Sequence, residues 1–188
     1  MFLTRRPSNR AIEEFIQESS RLPLSYKQIG IAKQQHTSGF KTDEASAVIA
    51  HGGDAFDKAK LALRNWQQFD FGWVELFPRN ASIEPGTNVA VLVHHIGFWS
   101  LNGCRVVYLI DDRESVFGFA YGTLTNHAEM GEEIFEVSLD AETEEVTYRI
   151  SAVSKPRATL AQIGYPITRV LQARFRRDSI LAMERAIR

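Results

Sequence analysis

Apolar residues first recur at helical spacing near the N-terminus. Ala11, Ile12, Phe15 and Ile16 share one face behind Ser8, a suitable cap, with Glu13 and Glu14 near the start. Leu22-Pro23 ends that helix. "YKQIGIAK" and "ASAVIA" alternate weakly and predict two short strands. "HGGDAFDKAKLALRNW" returns to a helical period, with Asp54 as the expected cap and Phe56, Ala59, Leu63 and Trp66 on one face. "GWVELF" predicts another strand, and "PRNASIEPGT" a loop.

The following stretch is a run of strands. "NVAVLVHHIGFWS" and "CRVVYLIDD" flank Leu101-Asn102-Gly103, and Asn-Gly is the strongest short hairpin signal because both residues tolerate positive φ. "ESVFGFAYGTL", "NHAEMGEEIFEVSLD" and "EVTYRISAVS" follow, separated by a charged turn near Asp111 to Glu114 and by "DAETE". Short turns between consecutive strands favour an antiparallel meander. A helix is expected over about residues 159–187, with Pro166 kinking it or splitting off its first turns. The pattern predicts an α+β domain in which a curved antiparallel sheet wraps a long C-terminal helix, with an extra N-terminal helix over residues 1–22. A helix lying across the concave face of such a sheet can enclose a cavity.

Composition narrows the classes. A chain of 188 residues with 44% hydrophobic and 24% charged residues suits one globular domain. A net charge of -1 gives no electrostatic case for a nucleic-acid partner. No apolar run suffices for stable membrane insertion, and "MFLTRRPSNR" lacks the apolar run of a signal peptide. Cys104 is the only cysteine, which fits a reducing compartment. The expectation is a soluble cytoplasmic protein. Nothing in the chain sets its oligomeric state.

Chemistry concentrates in Asn126 to Asp140. With a period of two, His127, Glu129 and Glu133 share a face with Phe135, Val137 and Leu139, and neighbours on that face are about 7 Å apart. On the concave side, these polar residues would line one end of a cavity and the apolar ones the other. His127 beside Glu129 could act as an acid/base pair, with Glu133 binding the ligand. The same face could instead project into solvent. Collinear strand residues match a metal's coordination sphere poorly, so no metal and no cofactor are expected. His94 and His95 are adjacent in a strand and point to opposite faces.

On the last helix, Ile167, Val170, Leu171 and Leu181 form a stripe, with Arg174 and Asp178 near its middle one turn apart. The pair is either a structural ion pair or part of the His127 group. Gly118, Ala120 and Gly122 make a strip without bulk, suited to close helix packing or to a cavity floor. Tyr108 and Tyr148 could offer hydroxyls to a ligand. "HGGD" fits a tight turn better than an anion site. The basic face at Arg169, Arg176 and Arg177 and the acidic stretch from Glu129 to Glu145 read as solvated and mutually attractive.

"FGFAYGTLTNHAEMGEEIFEV", "GWVEL", "FDKAKLAL", "SKPRATLAQIGYP" and "LQARFRRDSILAM" resemble an uncharacterised bacterial and plant family, the domain of unknown function numbered nineteen-ninety. The resemblance runs from Tyr26 to Met183. That family is similar in turn to the START-like, or SRPBCC, helix-grip superfamily, which includes lipid-transfer domains, polyketide cyclases, aromatic-ring hydroxylase domains and plant hormone receptors. The resemblance implies a curved sheet gripping a C-terminal helix around a ligand cavity. It implies no agreed activity, and fold alone does not fix one. The leading expectation is a module that binds a small hydrophobic or amphipathic ligand. The alternatives are a hydrolase- or cyclase-type enzyme using His127 and Glu129, and a protein-interaction module with a filled core.

Overall fold

The structure, a computed structural model, describes residues 2–34, 38–112, 114–156 and 165–188. Its elements in chain order are β1 (Phe2–Leu3), α1 (Asn9–Ser19), β2 (Lys41–His51), α2 (Gly53–Arg64), β3 (Val74–Phe77), β4 (Asn88–His95), β5 (Phe98–Asp112), β6 (Val116–Thr123), β7 (Glu129–Leu139), β8 (Glu145–Pro156) and α3 (Tyr165–Ala186). The strands form one antiparallel sheet in the order β2-β8-β7-β6-β5-β4-β3, and β1 pairs with β5 beside that path.

Two register shifts bend the sheet, between Val48 and Ala50 in β2 and between Val106 and Tyr108 in β5. An extra residue in one strand of a pair kinks it and increases its twist. The curled sheet grips α3 on its concave side. There α2 and the second half of α3 pack Phe56, Leu63, Met183 and Ile187 against Phe119, Phe135 and Tyr148. These ring and aliphatic groups fill the core at that end.

The convex face is covered by the N-terminal segment. Ser8 caps α1 by accepting a hydrogen bond from the Ala11 N–H at 3.2 Å, and Ile12 and Phe15 pack on Ala90, Leu92 and Leu101. Arg105 closes the other end of α1, donating to the Ser20 and Leu22 carbonyls at 3.0 Å each. Those carbonyls would otherwise lack partners, and a cation suits a helix C-terminus. α1 therefore lies on the outer face of β4 and β5.

Several sequence expectations need correction. "YKQIGIAK" is not a strand but a turn leading into a short 3-10 segment, Ile31–Lys33, which packs with Tyr26 on Ala120, Ile134 and Val153. The cap of α2 is Gly52, with Asp54 inside the first turn. Asn102-Gly103 is not a hairpin turn. β5 runs straight through it, pairing Asn102 with Val91 and Gly103 with Ala90. The turn sits instead at Ile96-Gly97, with φ of 48° and 73°. Positive φ at both residues is what a two-residue hairpin of this hand requires.

Gly103 answers a different need, since a Cβ there would lie 2.4 Å from Asn126 Oδ1. The stripe on the last helix is only partly in phase, since Leu171 turns inward. Val170 and Leu181 are exposed, while Ser179, Ala182 and Met183 face inward. Pro166 stands in the first turn of α3. Residues 159–164, where an earlier start was expected, and the Ile167 side chain lie outside what is described.

Candidate functional site

The first half of α3 spans a space that the sheet does not fill. This pocket measures about 450 Å³ and lies over the inner faces of β4 to β8. Its apolar wall includes Trp73, Val91, Val93, Phe98, Leu171 and Phe175. Its polar end is built by β7. Phe135 and Val137 belong to the filled core, so the preceding inward positions on the same strand, Glu133, Gly131 and Glu129, continue that face into the pocket.

Glu133 is the most perturbed acid there. Tyr121 donates its hydroxyl to Glu133 Oε2 at 2.7 Å. Among the described residues, nothing donates to the other oxygen, Oε1. Burial against apolar walls pushes the carboxyl up to about 7, opposed by Tyr121 and by the nearby Arg176 charge. Glu133 is half-buried and borders the pocket.

Glu129 belongs to a relay. Asp43 on β2 takes both guanidinium nitrogens of Arg169, and Arg176 stands 3.5 Å from it. Arg169 donates to Gln172 Oε1 at 2.9 Å, and Gln172 Nε2 donates to Glu129 Oε2 at 2.7 Å. The Arg169 hydrogen bonds hold Asp43 below the usual carboxylate range. Burial raises Glu129 despite its contacts with Ser154 and Gln172. Three residues of α3 at helical spacing, Arg169, Gln172 and Arg176, thus tie the helix to β2 and β7.

His127 and Glu129 meet through the backbone rather than through side chains. The Glu129 N–H donates to His127 Nδ1 at 2.9 Å. A neutral imidazole held this way keeps its proton on Nε2. His127 borders the pocket, as does His95, whose imidazole is held below its ordinary range by burial and by the adjacent His94. His94 points the other way and stacks on Trp99 with ring centres 4.3 Å apart.

Other residues singled out in the sequence fall elsewhere. Arg174 and Asp178 pair at 3.3 Å on the outer side of Trp73, whose indole N–H donates to Asp178 Oδ2 at 2.9 Å. Arg174 also covers the Trp73 ring at 4.6 Å. Burial would raise Asp178, but the Trp73, Arg177 and Arg174 hydrogen bonds lower it on balance. The pair therefore braces a wall residue from outside and does not join the His127 group.

Tyr108 and Gly118 lie on the convex face. The shift in β5 turns Tyr108 outward, where its hydroxyl donates to Glu132 Oε1 at 2.8 Å. The strip of small residues admits Tyr26 at Gly122, where a Cβ would meet the Tyr26 hydroxyl at 2.1 Å. It is neither a cavity floor nor a seat for α3. Tyr148 is wholly buried on the concave side and shares a 2.9 Å hydrogen bond with Ser179 of α3.

Asn102, Ser100, Thr123 and Gln172 also line the pocket and were not singled out in the sequence. Asn102 Nδ2 donates to Ser100 Oγ at 3.2 Å, and its Oδ1 accepts from the Ala128 N–H at 3.4 Å. The alternation Ser100, Asn102, Cys104, Val106 carried the signal, but the Asn-Gly pair masked it by suggesting a turn. Among the described residues, no group of three or more His, Cys, Asp or Glu is placed to hold a metal ion, and no helix is long and apolar enough to cross a membrane.

A curled antiparallel sheet holding a C-terminal helix over a polar-ended pocket defines a helix-grip protein. Within that class the chain belongs to the family described as Domain of unknown function (DUF1990), whose profile matches residues 25–182. It is similar to the UPF0548 protein of Dictyostelium discoideum, at 32% identity over 100% of this chain and 96% of that one. It is also similar to a UPF0548 protein of Arabidopsis thaliana, at 31% over 93% and 91%, and to that of Deinococcus radiodurans, at 31% over 99% and 98%. Among solved structures, the Zhui aromatase/cyclase from Streptomyces sp. R1128 aligns with a TM-score of 0.52 at 13% identity, covering 79% of this chain and 93% of that one. A hypothetical protein from Helicobacter pylori aligns with a TM-score of 0.51 at 12% identity, over 86% and 96%. These two likenesses show the fold alone.

Proposed function

We propose that the protein binds a small amphipathic molecule between the curled sheet and the first half of α3. The observation that carries this reading is the polarity gradient of the pocket. Apolar side chains make most of the wall, and polar groups converge at the Glu129 and Glu133 end, the arrangement typical of small-molecule sites. A volume of about 450 Å³ falls within the usual range for such sites. The open pocket speaks against a module with a wholly filled core.

Native mass spectrometry of gently purified protein, with thermal shifts against a library of amphipathic metabolites, tests the reading. The expected result is a retained mass or a stabilising ligand, lost in Ala152→Phe, which fills the pocket from β8. No retained mass and no shift with any library member would remove the basis for this function.

A second reading, proton-transfer catalysis, draws support from Glu133. A carboxyl brought to about 7 in an apolar wall is matched to acid/base work near neutrality. His127 and Glu129 would then position or assist. This reading expects Glu133→Gln to abolish a turnover that His127→Ala only reduces. Turnover surviving Glu133→Gln unchanged would eliminate it.

A further inference from the structure

Cations and carboxylates at the pocket are not matched one to one. Arg169 and Arg176 both reach Asp43, and Arg169 continues to Gln172. Glu129 and Glu133 make no salt bridge among the described residues. Glu129 accepts from Gln172, and Glu133 accepts from Tyr121, both neutral donors. Glu133 Oε1 remains open on the pocket side.

A bound anion would add repulsion at this end. A neutral group would leave two desolvated carboxylates facing only the Arg169 and Arg176 charges that Asp43 already shares, which is costly in an apolar wall. A protonated amine supplies both a positive charge and N–H donors.

We propose that the ligand is an amphipathic amine whose ammonium group seats against Glu133 Oε1, with Glu129 adding attraction and the apolar body lying along Val91, Phe98 and Leu171. The proposal rests on the pocket being a binding site, as argued above, and adds the chemical class of its occupant. Binding would draw the proton off Glu133, because the ammonium favours the ionised carboxylate. Below neutrality the complex should therefore form with release of a proton to buffer.

Titration calorimetry of the full chain with nonylamine, 1-nonanol and nonanoate tests this, since the three share one apolar body. At pH 8 nonylamine should bind at least tenfold more tightly than nonanol, with nonanoate weakest. Glu133→Gln should remove the advantage of the amine over nonanol. At pH 6 the heat of nonylamine binding should vary with the buffer's ionisation enthalpy, showing proton release, a readout that needs no variant to fold.

Nonanol or nonanoate matching the amine, or an amine advantage that persists in Glu133→Gln, would overturn the proposal while leaving the pocket reading intact. Absence of proton release at pH 6 would do the same. Failure of all three compounds to bind would overturn both.

Discussion

The Tyr121 hydroxyl and the Glu133 carboxylate are joined at 2.7 Å on adjacent strands, facing inward where β6 and β7 leave the filled core and enter the pocket. Burial raises the acid and this hydrogen bond restrains the rise. Tyr121→Phe should therefore lift the Glu133 midpoint above its present value of about 7. Carboxyl-carbon NMR titration of the two proteins measures it. A midpoint that stays or falls would mean that the hydroxyl does not stabilise the ionised form.

The sign for stability follows from the direction of the shift. Glu133 rises from an ordinary 4.5 to about 7 in the fold, so its contribution favours folding below about 4.5 and is lost as pH climbs through about 7. A shift of this size corresponds to roughly 3–4 kcal/mol. Glu133→Gln should raise the melting temperature at pH 8 and leave it nearly unchanged at pH 4. Equal melting curves at both pH values would show that the carboxyl is not desolvated.

Asp43 behaves oppositely. Its arginine contacts lower its midpoint, so its stabilisation is present above the ordinary value of 3.8 and fades as pH falls below it. Asp43→Asn should cost about 1–3 kcal/mol, because two partly buried guanidinium groups lose their shared partner. Hydrogen exchange should quicken in residues 168–176 of α3 more than in 179–187. Uniform loss across the helix would contradict the assignment.

Glu132 holds the outer face. It accepts from the Tyr26 and Tyr108 hydroxyls at 2.8 Å each, and from the Gly30 and Ala32 N–H groups at 2.9 and 3.3 Å. Glu132→Ala leaves four donors without their acceptor and should cost on the order of 3 kcal/mol or more. Denaturant unfolding gives the magnitude, and faster proteolysis around residues 24–34 gives the location. A loss below about 1 kcal/mol would mean that these donors find water.

Ile96 carries a branched side chain at φ 48°, an unfavourable conformation for its type. Ile96→Asn would place the preferred Asn-Gly pair in the observed turn and should stabilise by about 0.5–1 kcal/mol. A drop in melting temperature would show that the exposed Ile96 side chain contributes more through contact than its backbone costs.

Much of this architecture was legible in the chain. Regular alternation in β7 put Glu129 and Glu133 on the face of Phe135 and Val137, and both border the pocket, as does His127 from the bend before the strand. The Ser8 cap and the Ile12 and Phe15 face of α1 were equally plain. The errors have local causes. Asn102-Gly103 resembles a turn, yet its glycine answers the close approach of Asn126, a contact between distant segments that no window of sequence contains. Tyr108 is moved to the other face by one extra residue in β5. On α3 the inward face carries Ser179, Ala182 and Met183, small or flexible groups that hydropathy ranks below Val170 and Leu181. Arg169, Gln172 and Arg176 stand one helical face away from Arg174 and Asp178, and only the position of Asp43 reveals which set turns inward.

α3 is fastened in two different ways along its length. Met183 and Ile187 anchor its second half in the core, whereas Arg169, Gln172 and Arg176 hold its first half by charge and hydrogen bond. Dissolved salt weakens attraction between partly exposed ions and strengthens the burial of hydrocarbon when the anion is a sulfate. Concentrated sulfate would thus loosen one end of the rod while tightening the other.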